Sequence, residues 1–102
     1  MSERSVFLGS VMKAIACTPN QCFDNELYQK GVIEPARRIR QLQEELGDQP
    51  PDEARMREAL ELLFRIFETK GVDPAEREDR IKEILAKSRL EALFPDLFPL
   101  PR

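Results

Sequence analysis

The stretch EARMREALELLFRIFETKG, residues 53–71, decides the fold class. Met56, Ala59, Leu60, Leu62, Leu63, Phe64, Ile66 and Phe67 recur at helical spacing and cover an arc of about 200°. A helix resting on one neighbour needs about half of that. The segment therefore either sits centrally among several helices or contributes to a subunit interface. Leu62, Phe64 and Ile66 fall at the rim of the arc, and they are the side chains expected to meet a partner. Gly71 followed by Val72 reads as a glycine C-cap with its hydrophobic contact.

Working outward, DQPPD at 48–52 is a rigid polar linker. Before it, VIEPARRIRQLQEELG reads as a helix with Pro35 in the first turn and Gly47 just past the end. Its apolar stripe is narrow: Val32, Ala36, Ile39, Leu42 and Leu46. Further back, Asp24 or Asn25 caps a short helix that stops at Gly31. Residues 3–17 form an amphipathic helix with Phe7, Leu8, Val11, Met12 and Ile15 on one face. Thr18-Pro19-Asn20 ends it, because a residue before proline avoids helical angles.

In the other direction, Asp73 caps a fourth long helix, with Pro74 in its first turn and Glu76 at the capping-box position. Ile81, Ile84, Leu85 and Ser88 share a face, whereas Leu90, Leu93 and Phe94 do not. A bend near Ser88 follows, and Ser88-Arg89-Leu90-Glu91 repeats the capping-box pattern. No strand-like alternation and no repeat is present. The expected architecture is all-α: a small four-helix bundle-like domain over residues 1–94 with one or two accessory short helices. An extended Pro-rich apolar tail at 95–102 completes it.

Composition removes several kinds of chemistry. The 102 residues hold no histidine, so the commonest general base and metal ligand are missing. No tryptophan and one tyrosine leave few platforms for stacking bases. A net charge of −3 provides no global field for nucleic acid or an anionic membrane. No glycine-rich phosphate loop, nucleophile elbow or Glu-x-x-His pattern occurs. Asp52, Glu53, Glu58, Glu61 and Glu68 fall on the polar arc of their helix, where solvation alone places them. No catalytic residue, cofactor site, metal site or small-molecule substrate is inferred, and the expectation is a protein that is not an enzyme.

Arg37, Arg38 and Arg40 cluster at the start of one helix. Guanidinium groups suit phosphate and carboxylate, so this face is a candidate for a protein partner or, as the alternative reading, for nucleic acid. Local pairing is the plainer account: Glu34 with Arg37 or Arg38, and Arg40 with Glu44. A helix-turn-helix over this region fails, because MREALELLFRIFE is too acidic and apolar to read base edges. Nucleic acid is therefore disfavoured as a partner.

Cys17 and Cys22 bracket TPNQ. Their spacing is wider than a redox Cys-x-x-Cys, and Cys17 lies at a helix C-terminus, where the dipole opposes a thiolate. The pair reads first as small buried or half-buried thiols, with a redox switch as a third functional reading. Ala14-Ile15-Ala16-Cys17 also resembles a lipoprotein cleavage box. Lys13 interrupts the apolar stretch that such a leader needs, and Glu3 cancels Arg4. The segment is read as helix, with a cytoplasmic location and reduced cysteines.

The terminus LFPDLFPLPR is apolar and held extended by Pro95, Pro99 and Pro101. Leu97, Phe98 and Leu100 either fold back to seal the bundle or dock in a partner's groove. A surplus helix face and an apolar end, with no catalytic inventory, lead to one expectation. The chain is a small helical adaptor or regulatory subunit that binds another protein or itself, with a homodimer as its simplest form.

Overall fold

In a computed structural model of the chain, residues 3–47, 49 and 51–88 are described. All regular structure among them is helical: α1 (Glu3–Cys17), α2 (Asn25–Tyr28), a π-helical turn (Gln29–Ile33), α3 (Glu34–Leu46), α4 (Glu53–Lys70) and α5 (Pro74–Ser88). The four long helices pack on one another as a compact bundle. No described helix is long and apolar enough to cross a membrane.

The caps follow from the residues at the ends. Asp24 accepts from the Leu27 N–H at 3.0 Å to start α2, and Asp52 accepts from the Arg55 N–H at 2.8 Å to start α4. Each satisfies an orphan donor of a first turn. At the far end of α4, Gly71 adopts φ +84°, which a side chain rarely tolerates. Its N–H reaches Glu68 O at 3.1 Å, and the Val72 N–H reaches Phe67 O at 2.9 Å. Val72 is buried beneath this turn, as the glycine C-cap pattern requires.

One boundary differs from the sequence expectation. Gly31 does not stop a helix: α2, the π turn and α3 run on as one rod. Pro35, inside that rod, lacks an N–H and crowds the carbonyl of Gly31 four residues back. The widened turn absorbs the conflict, because the Glu34 N–H bonds to Gln29 O, five residues back. Glu34 keeps φ −63° and ψ −48° although it precedes proline. Tertiary packing overrides both local stop signals, since Gly31, Val32 and Pro35 are all buried. A Cβ at Gly31 would stand 2.7 Å from Thr69 Cγ2, so only glycine lets this rod lie close to α4.

Helix α4 is the axis of the bundle and touches every other described helix. Met56, Ala59, Leu60, Leu63, Ile66 and Phe67 are buried along it. They meet Phe7, Val11 and Ile15 of α1, Ile39 and Leu42 of α3, and Ile81 and Leu85 of α5 in a single core. Most of the wide apolar arc is thus buried inside the molecule, with Leu62 and Phe64 half-buried at its edge. Ile66, expected at an exposed rim, is fully buried, because α4 has neighbours on more than one side.

Candidate functional site

The site is built on the segment between α1 and α2. Helix α1 ends at Cys17, and its last carbonyls need donors. The Thr18 hydroxyl donates to Ala14 O at 2.5 Å. Lys70, 6% exposed, extends its ammonium across from the end of α4. It donates to Ile15 O at 2.7 Å and Thr18 O at 3.0 Å. Burial lowers the Lys70 pKa below its ordinary 10.5. The partial negative charge at the C-terminus of α1 nonetheless suits a cation here.

The rest of the segment is pinned in turn. The Gln21 N–H donates to Lys70 O at 2.9 Å. Asn20 closes an Asx turn, accepting from the Cys22 N–H at 3.0 Å and donating to Cys22 O at 2.8 Å. The Cys22 thiol lies 3.6 Å from Asp24 O. Asp24 then caps α2, so backbone on both sides of Phe23 is fixed.

On this braced segment Phe23 is 91% exposed, and Leu27, one helical turn on, is 54% exposed. Phe23 precedes the N-cap, and a hydrophobic residue there commonly folds back on the fourth helical residue. That residue is Tyr28, which packs against the core, yet the Phe23 ring stays in water. An aromatic ring held in water costs about 1.5–3 kcal/mol of burial that the fold leaves ungained. Among the described residues, Val6 is the other large exposed hydrophobic.

The residues singled out from the sequence are dispersed. Leu62 and Phe64 are half-buried against the core, and the Arg77 guanidinium sits over the Phe64 ring at 5.4 Å. Arg38 does not pair with Glu34. It forms a two-pronged contact with Glu58 of α4, at 2.7 and 3.4 Å, and lies 3.6 Å from Glu45. The Glu58 hydrogen bond raises the Arg38 pKa, so its charge is fixed. Arg37 and Arg40 are exposed, and neither pairs with a described carboxylate; the expected Arg40–Glu44 pair is not formed. The arginine cluster is thereby split, one member bracing α3 on α4 and two facing solvent. Leu97, Phe98 and Leu100 lie outside the described residues.

Both thiols are free, with Cys17 exposed and Cys22 half-buried. The exposure of Cys17 corrects its reading as a packed thiol: as the last residue of α1 it projects past the core. It borders a cleft of about 320 Å³ between α1 and α5, along with Lys13, Arg80, Glu83 and Lys87. Arg80 and Lys87 each pair with a glutamate one turn earlier, Glu76 at 2.9 Å and Glu83 at 3.1 Å. Among the described residues, no group of acidic, histidine or cysteine side chains is placed to hold a metal ion.

Sequence reasoning missed Phe23 and Leu27. The signal was available: a lone aromatic in the polar run TPNQCFDNE, one place before a helix cap. Comparison with protein-family models, curated proteins and solved structures finds no match.

Proposed function

We propose that this chain is a small, non-catalytic protein-interaction module, an adaptor or regulatory subunit. The observation that carries the reading is the exposure of Phe23 on a hydrogen-bonded segment. A ring left in water contributes nothing to its own fold, and because the backbone beneath it is already pinned, a partner that buries it has mainly the side-chain rotamer left to order. Leu27, 54% exposed in α2, is a second apolar side chain left partly in water on the same segment. The apolar tail residues Leu97, Phe98 and Leu100 remain a second candidate contact, with the half-buried Leu62 and Phe64 secondary to both.

The test replaces Phe23 with the photoreactive p-benzoylphenylalanine and irradiates the chain in its native host. A covalent adduct to a protein, competed by excess unmodified chain, supports the reading; absence of any adduct sinks it. A Phe23→Ala variant should fail to compete while melting within about 0.5 kcal/mol of the parent, since the ring is already 91% exposed.

The nucleic-acid reading has less support. Only Arg37 and Arg40 of the cluster face solvent without a carboxylate partner among the described residues. Two phosphate contacts give a weak, shallow salt dependence.

A further inference from the structure

We propose that Lys70 is the positioning residue of the Phe23 segment. Its side chain and main chain together hold residues 19–27 closed, as a unit that opens without the core, and the closed form is the one that offers Phe23 to a partner. The last clause rests on the interaction-module reading and deepens it; the first part stands without it.

The segment has no apolar anchor of its own. From Pro19 to Leu27 no residue is buried, and the core takes no side chain from this stretch. The core resumes on both sides: Ile15 is buried in it, and Tyr28 packs against it. A stretch with few buried apolar contacts opens at a lower free energy than the whole fold. Hydrogen bonds are what keep it closed, and their destinations decide which residue controls it.

The bonds inside the segment are local, Asn20 with Cys22 and Asp24 with Leu27. They shape the backbone without tying it down. Among the described residues, the hydrogen bonds that tie residues 15–23 to any helix other than α1 and α2 all run to Lys70. The ammonium holds the Ile15 and Thr18 carbonyls, and the Lys70 carbonyl takes the Gln21 N–H. One residue thus grips the segment at two points upstream of Phe23. The next residue makes room for that grip: a Cβ at Gly71 would stand 3.2 Å from Gln21 Cβ. A partner that needs the closed form loses apparent affinity by the fraction of chains that are open.

The test is amide hydrogen exchange, read by NMR on the full chain, for the parent, Lys70→Met and Leu42→Ala. Leu42 is fully buried on α3 and makes none of these bonds, so its variant lowers global stability alone. In the parent, the Gln21 and Cys22 amides should exchange through one shared opening that leaves the amides of Leu60 and Leu63 protected. Lys70→Met should favour that opening by about ten- to hundredfold, the effect of losing hydrogen bonds from a charged donor. Leu42→Ala should leave exchange at Gln21 and Cys22 within about twofold of the parent. Unchanged protection at Gln21 in Lys70→Met, or an equal loss in Leu42→Ala, overturns the assignment. So does a parent in which Gln21 and Cys22 exchange only when the core unfolds.

These readouts need no partner. Absence of a photoadduct at Phe23 sinks the module reading and leaves the exchange result standing. Where an adduct forms, the Lys70→Met chain should compete less well, by the factor that its measured open fraction sets. Competition equal to the parent's from a mostly open segment overturns the positioning role while leaving the module reading intact.

Discussion

At the residue scale, Lys70 and Phe23 are opposite departures from the usual partition of side chains. Lysine is rarely buried unless paired. Here its four-carbon stem runs through the core edge, and its ammonium closes two carbonyls at the end of α1. Lys70→Met keeps the stem and removes the donors, and should cost about 1–3 kcal/mol in urea unfolding. The pH dependence has a definite sign. Burial sets the folded pKa below the unfolded one, so between the two values the unfolded chain binds more protons. Stability attributable to Lys70 should therefore rise as pH climbs through the folded pKa toward 10.5. Subtracting the Lys70→Met curve isolates this from other titrations, and a difference that falls with pH would contradict the assignment. Phe23 is the reverse case, an apolar group that the fold brings into water and then braces.

At the scale of elements, the continuous rod from Asn25 to Leu46 and the central helix α4 define each other. The π turn reconciles Pro35 with a continuing helix, and Gly31 lets that turn approach Thr69. Thr69 is itself held, its hydroxyl donating to Arg65 O at 3.0 Å, so it yields little. Gly31→Ala should destabilise by about 1–3 kcal/mol through this clash, even though alanine is the better helix former. Thermal melting decides it, and a gain in stability would mean the rod can shift outward freely. Along α4 the apolar positions separate by depth. Ile66→Ala should cost about 2–5 kcal/mol, because it opens a cavity in packed surroundings. Leu62→Ala should cost clearly less, because Leu62 is half-exposed; comparable losses would contradict the observed burial.

At the scale of the whole molecule, a radius of gyration of 13.1 Å matches a compact chain of this length. One core cluster draws side chains from α1, the α2–α3 rod, α4 and α5. No part of it is independent, so urea unfolding followed by far-ultraviolet circular dichroism and by Tyr28 fluorescence should give coincident transitions. Separated midpoints would show that a helix detaches alone. The same core changes the argument from apolar surplus. The wide face of α4 supplies almost none of the exposed hydrophobic surface, because other helices cover it. Among the described residues, the large hydrophobic side chains left in water are Val6, Phe23 and Leu27.

Several features were legible in the residues alone. Asp24 and Gly71 mark helix ends because capping is chemistry between near neighbours, whereas Asp52, read as a solvated carboxylate of the polar arc, caps α4. The stripes Phe7-Val11-Ile15 and Ile39-Leu42 face inward because helical geometry alone aligns them. Tertiary structure decided the remainder. Whether Ile66 is rim or core depends on how many helices surround α4, and whether Gly31 stops a helix depends on what its missing side chain leaves room for. Arg38 chose Glu58 over a neighbour on its own helix because packing brought another carboxylate within reach. The loop that carries the exposed Phe23 is anchored by Lys70, forty-seven residues away in the sequence. Local order is set by groups a turn apart, whereas burial and exposure depend on contacts between residues that sequence spacing does not relate.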